Sequence, residues 1–458
     1  MKPPALASPN LTARIAGLAA PILVGQLAAI ANPVLDTLMV ARYSAADLAA
    51  LSVGASIYVS IFVGLNGVMQ SLMPTFGQLY GAGALGKIAG EARQGSWLAV
   101  LMAIVGMLFL FFPAPFFSLT RASPELMEKV SLYLRILAFS LPASMLFLVY
   151  VTLNNALARP RMVMVIQVGA LFLKLPLNLL LVFGGWHIPA FGAPGCAIAT
   201  LILSWTTLTV GLLILRTHPF YHFLRLPKER FTPPRWQSLK ELLKLGLPLG
   251  MNYFIEVTAF TFMSLFITRI GINAVAGHQV VANMATTLYM LPLSTAGATG
   301  ALVAQAIGAR KLPLARQIAF SGLRLAVCVA VVMATLLWCL RHIVVGLYTD
   351  NPGIVGNALP LVLFVCTYQI FDALQAVSSH ILRAHKVVLA PTVLYVAALW
   401  CIGLGGGYLF AFNPFGLDIP QRLTGASGFW FCNALGLVLL SGVFLLLVNR
   451  VERRAENA

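Results

Sequence analysis

Apolar runs long enough to cross a bilayer follow one another from residue 15 to residue 449, separated by short polar breaks. A spanning helix needs ~20 mostly apolar residues to cross a hydrocarbon core ~30 Å thick. Only 9% of the residues are charged and 60% are hydrophobic, with a mean hydropathy of +0.90, whereas a soluble domain carries roughly 25% charged residues. There is too little polar side chain to cover a water-facing surface, so lipid is the solvent for most of the chain.

Twelve spans are expected: 15–42, 48–79, 94–117, 130–156, 162–183, 192–215, 241–268, 275–307, 317–340, 354–382, 387–412 and 423–449. The N-terminal stretch Met1 to Leu11 leads into a full-length span and does not read as a cleaved signal peptide. The net charge of +17 could suggest nucleic acid, but such proteins gather Lys and Arg on one solvated face. Here the basic residues sit in the breaks. With twelve spans, 21 of the 30 fall on the side of the termini, six on the other and three within or near span ends. That asymmetry is the positive-inside signal, so both termini are expected in the cytoplasm.

The longest polar break divides the chain into an N-lobe (1–215), a linker (216–240) and a C-lobe (241–458). The lobes are related in sequence: a shift of 227 residues aligns Pro21 with Pro248, Ala49 with Ala276, Gln78 with Gln305 and Gly81 with Gly308. Further on, a shift of about 225 pairs Leu157 with Leu382 and Arg161 with Lys386. Two six-span lobes running in the same sense imply an all-α membrane fold with a pseudo-twofold axis along the membrane normal, as transporters use to place substrate between repeats.

Three of the thirteen acids stand deep in apolar surroundings: Asp36, Glu256 and Asp372. A carboxylate at a span centre costs ~2.5–3.5 kcal/mol and marks an ion or substrate path more often than a structural hydrogen bond. None has a symmetry mate under the repeat, so one belongs to the N-lobe and two to the C-lobe. Asn252 precedes Glu256 by four residues and Tyr368 precedes Asp372 by four, which stacks each pair on one helix face. Carboxylate, phenol and amide oxygens are hard ligands that suit a small cation or a proton relay.

Other features carry less. The six cysteines lie in apolar segments without CxxC or zinc-like spacing and read as small buried hydrophobes. His380 and His385, five apart, fit neither a paired metal face nor HExxH and read as interfacial histidines. The glycine run Gly403, Gly405 to Gly407 reads as close helix packing. A nucleophile with its base near one interface, as an intramembrane enzyme needs, is absent from the sequence pattern.

The runs DTLMV and PTFGQLYGAG in the first half, with PLGMNYFIEVTAFTF, AVAGHQVVANM and VAQAIGAR in the second, resemble the paired signatures of the multidrug and toxic compound extrusion (MATE) exporters, NorM-like branch. The resemblance covers nearly the whole chain. It implies a monomeric V-shaped bundle, without cofactor, that exports cationic amphipathic drugs and dyes in exchange for Na+ or H+. It places the coupling cation, metal or proton, at Glu256, Asp372 and Tyr368, and assigns Asp36 and Asn178 to substrate or protons in the N-lobe. A flippase for lipid-linked oligosaccharides, of the same broad superfamily, is the alternative; such proteins often line the cavity with several cations.

This sequence departs from the resemblance at one place. Similar proteins tend to carry two asparagines four apart in the fifth span, whereas Lys174 and Asn178 stand here, which argues against an N-lobe metal site. At 1.5 Å per residue, Asp36 lies ~9 Å and Lys174 ~14 Å below the outer ends of their spans, so the two charges are expected to meet.

Overall fold

A computed structural model describes residues 10–113, 124–185, 188–224, 233–416 and 418–456. The residues ahead of Asn10, Arg121, the 225–232 stretch of the linker and Ala458 lie outside the described residues. The described chain is almost wholly helical, with one isolated bridge between Gly185 and Ile188.

Helix order follows the apolar runs: α1 (Leu11–Tyr43), α2 (Ala45–Met69), α3 (Leu72–Gly81), α4 (Leu85–Phe111), α5 (Pro124–Ala138), α6 (Leu141–Ala156), α7 (Pro160–Phe183) and α8 (Ala193–Thr217). After a 3-10 turn, Pro219–Leu224, come α9 (Trp236–Thr268), α10 (Ile272–Gly308), α11 (Leu312–Gly346), α12 (Pro352–Ala384), α13 (Leu389–Val396), a π-helical stretch Ala397–Gly406, α14 (Gly407–Phe412) and α15 (Ala426–Glu456). Eleven helical segments are long and apolar enough to cross a membrane, and α5 with α6, bent by 45°, makes a twelfth. The bend has a local cause. Pro142 sits in the first turn of α6, where its missing N–H was an orphan donor anyway, and the chain restarts its helix there instead of continuing it.

The chain forms two compact units, Pro21–Gly250 and Met1–Ala20 with Met251–Ala458. In the Pro21–Gly250 unit the core is fully buried leucine, phenylalanine and methionine from several helices, including Met69, Leu72, Phe76, Leu98, Leu134 and Leu141. Outward-facing residues are apolar too, as with Val165, Phe172 and Leu213, which is what a lipid-facing surface requires. Asp47 is buried near the start of α2. Its carboxylate accepts from Lys129 Nζ on α5 at 3.2 Å and from the backbone N–H of Ala193 at 3.2 Å, tying the ends of three helices together. The Tyr221 hydroxyl donates to Asn154 Oδ1, and burial pushes its pKa up to about 12, so it stays a donor.

In the other unit α10 is the most enclosed span, packed along α12 and α11, with α12 in turn against α15. The glycine run behaves as expected of close packing. A Cβ on Gly403 would stand 2.6 Å from Asn433 Oδ1, and one on Gly407 2.5 Å from the Phe429 ring. The π-helical stretch therefore lies against α15 at a distance only hydrogen side chains allow. Asp47 and Glu452, grouped by sequence with the acids of the breaks, are buried as well. They differ from the three deep acids in lying near helix ends; Lys129 pairs with Asp47, and His385 stands 3.0 Å from Glu452.

Candidate functional site

In the Pro21–Gly250 unit the expected meeting of charges is present. Lys174 Nζ donates to Asp36 Oδ2 at 2.8 Å, and Asn178 Nδ2 donates to Asp36 Oδ1 at 2.7 Å. Lys174 and Asn178 are four apart on α7, so both reach α1 from one helix face. Lys174 also donates to Thr200 Oγ1 on α8 at 2.9 Å, a partner the sequence had not offered, and Thr200 in turn donates to the Cys196 carbonyl. Lys174 is 2% exposed and Asn178 fully buried. One acceptor is left over: Asn178 Oδ1 is buried without a hydrogen-bond partner.

In the other unit Glu256 on α9 and Asp372 on α12 are close enough to feel one another's charge, and Tyr368 interacts electrostatically with both. Tyr368 is held by an aromatic cluster, edge-on to Trp430 at 5.9 Å and to Phe260 at 6.3 Å. The cluster is braced by His278, which accepts from Trp430 Nε1 through Nδ1 at 3.2 Å and faces Ser264 Oγ through Nε2 at 2.8 Å. Neither acid has a cationic side chain within ion-pair distance among the described residues.

Glu256 opens instead onto a half-enclosed cavity of about 20 Å³, room for a water or a bare cation and far too small for a drug. Asn252 lines it from α9, Tyr289 from α10, Gln375, Ser379 and Arg383 from α12, and Tyr395 from α13. Tyr395 interacts with Glu256 there. Asn252 is 8% exposed, and its Oδ1 has no partner. A carboxylate, three phenols and an orphan amide oxygen around a water-sized space form a donor set that suits a small hard cation or a proton passed through water. No group of three or more His, Cys, Asp or Glu is gathered among the described residues.

Sequence reasoning missed Tyr289, Gln375, Arg383 and Tyr395, and it set aside His380, which also lines this cavity. One signal was present. Tyr368, Asp372, Gln375, Ser379 and Arg383 follow a spacing of four, three, four and four, a single polar face of α12.

Comparison with known proteins agrees with this organisation. The MatE family profile matches residues 21–180 and again 248–409, beginning at Pro21 and Pro248, the pair aligned by the internal repeat. The chain is 39% identical over 422 residues, 92% of its length and 90% of the relative's, to the probable multidrug resistance protein NorM of Aromatoleum aromaticum. It is 30% identical to the multidrug resistance protein MdtK of Photorhabdus laumondii, over 92% of each chain. A solved outward-facing multidrug resistance MATE family transporter of the MOP superfamily shares its fold with a TM-score of 0.88 at 17% identity, covering 100% of this chain and 99% of that one. Two family matches that span most of the sequence, on an all-helical twelve-span fold, establish that the chain belongs to the MatE family, whose members are transporters and not enzymes.

Proposed function

We propose that this protein is a multidrug antiporter that exports cationic amphipathic drugs and dyes across the bacterial inner membrane by alternating access, driven by inward Na+ or H+. The observation that carries the reading is the pair of coupled carboxylates, Glu256 and Asp372, with Tyr368 beside them and a cavity at Glu256 that admits a small cation and no drug. Relatives named as multidrug resistance proteins support the substrate class. In this reading Glu256, Asp372 and Tyr368 hold the coupling ion, while Asp36, Asn178 and Lys174 serve substrate or protons in the N-lobe. The protein works as a monomer of two lobes, 1–215 and 241–458, joined by 216–240, with both termini cytoplasmic.

Purified protein in detergent should bind ethidium and release it when Na+ is added or the pH is lowered. Ethidium that stays bound under both changes would count against cation-coupled export; binding of a lipid-linked sugar in its place would favour the flippase. The lone lysine beside Asp36, itself neutralised, argues against the cation-lined cavity a flippase would use. A reporter inserted near Gly416 should read periplasmic, and a cytoplasmic reading would reverse the orientation taken from the basic residues.

A further inference from the structure

The cavity beside Glu256 does not end at the carboxylate. It runs to the last turn of α12, where Arg383 lines it. Arg383 follows Asp372 by eleven positions, ~16 Å along the helix at 1.5 Å per residue, and the residues between them on that face, Gln375 and Ser379, are polar and buried. A polar row on the buried face of a spanning helix is costly unless it has partners or lines water. Here it lines the cavity, together with Asn252 Oδ1, an acceptor left without a partner in the protein.

Two ordinary roles for Arg383 are visible. A cation in the last turn of a helix interacts favourably with its dipole, and the guanidinium lies 5.9 Å from the Tyr253 ring. Neither requires it to line the same cavity as Glu256, with which it interacts electrostatically while standing beyond ion-pair distance. Its Nε is buried without a hydrogen-bond partner in the protein, so that donor is left for water.

We propose that the row Gln375, Ser379, Arg383 and the cavity it lines form a water-bearing conduit by which the coupling cation leaves Glu256 toward the Arg383 end of α12, with Arg383 as the resident counter-charge of the emptied carboxylate. This deepens the coupling-site reading and rests on it. The charge arithmetic gives the direction. Of the charged residues that line the cavity, an ionised Glu256 and Arg383 sum to zero, Asp372 lying outside the lining, and a guest cation on Glu256, proton or Na+, adds a positive charge there that Arg383 opposes. A guanidinium offers only donors and cannot ligate a metal, so it opposes occupancy and favours departure. It is a positioning charge and touches no guest.

The test uses full-length protein in liposomes, with substrate efflux driven by a Na+ gradient in one arm and a pH gradient in the other. Arg383→Gln should lower the half-activating concentration of the driving ion by about tenfold, as expected for loss of one charge at this range, and lower the maximal rate, because release slows. Arg383→Lys should restore both. A neutral variant with the wild-type half-activating concentration, or a lysine variant that behaves like glutamine, would overturn the conduit. Should Arg383→Gln fold poorly, Ser379→Leu, which fills the cavity without altering a charge, must cut the maximal rate at least tenfold; an unchanged rate would equally sink the proposal. Glu256→Gln separates the two levels of inference. If it is inactive while the Arg383 variants are silent, only the conduit fails; if it transports with the wild-type ion requirement, the coupling site fails and the conduit with it.

Discussion

The acids of the two units are neutralised in opposite ways. Asp36 is held by contact: an ammonium at 2.8 Å, an amide at 2.7 Å, and a threonine on the far side of the ammonium. Glu256 has no such amine in contact and instead lines a water-sized space with phenols and an orphan amide oxygen, while Asp372, also without an amine in contact among the described residues, interacts with Glu256 and Tyr368. A charge buried in a spanning bundle must be paired, protonated or solvated. Asp36 satisfies the first condition from within the chain, so it has little need of an external ion. The carboxylates of the other unit leave the condition open, and an arriving cation can meet it.

The comparison breaks most easily at the open end. Glu256→Gln and Asp372→Asn keep shape and hydrogen bonding but remove the charge a guest would neutralise, so each should abolish cation-driven efflux while expression and thermal stability stay near wild type. Drug efflux at the wild-type rate in both single variants would mean that the acids of this unit do not couple transport.

The closed end should respond in stability rather than in transport alone. Lys174→Ala strands Asp36 and is expected to cost about 3–5 kcal/mol, the range for breaking a buried pair from one side. Adding Asp36→Asn should recover part of that loss, with a coupling energy of roughly 1–3 kcal/mol between the two positions. Denaturation of both single variants and the double variant gives the cycle directly; strictly additive losses would show that the contact carries no energy.

How much of this was legible follows the same division. Asp36 and Lys174 could be paired from sequence because two charges in apolar spans stand out, and helical rise puts them at similar depths. Glu256, Asp372 and Tyr368 stood out for the same reason. Thr200 did not, since one threonine on an apolar helix has no periodic signature. The cavity was harder still, because Tyr289, Tyr395 and Gln375 are neutral and come from three helices whose mutual rotation no single-helix pattern encodes. Arg383 was hidden by its place at a span end, where positive-inside counting absorbs every basic residue alike. The helices themselves were legible almost to their number, because a span must satisfy its own backbone hydrogen bonds and so must be a continuous apolar run. The 45° bend at Pro142 shows the limit of that logic: proline announces a break, not its angle.

The smallest expected effect is also the most discriminating, because it would convert one kind of site into the other. Lys174→Asn removes the tethered ammonium and leaves around Asp36 a set of oxygens: its own carboxylate, the unpaired Asn178 Oδ1, Thr200 Oγ1 freed from its donor, and the new amide carbonyl. Those are hard ligands of the kind a small monovalent or divalent cation takes. The variant should therefore gain a Na+-dependent stabilisation that the wild-type unit lacks. Ligand linkage sets its size, since Na+ at ten times its dissociation constant adds about 1.4 kcal/mol, roughly 2 °C or less in melting temperature for a chain this long. Any Na+ bound by the other unit would obscure so small a shift, so the measurement belongs in a Glu256→Gln, Asp372→Asn background, with and without Lys174→Asn. A Na+-dependent rise confined to the Lys174→Asn variant would show that the internal ammonium is what keeps Asp36 closed to external cations. Equal melting curves in Na+ and in choline would mean that the pocket stays closed without it, and that the contrast between the two units lies in their packing and not in one lysine.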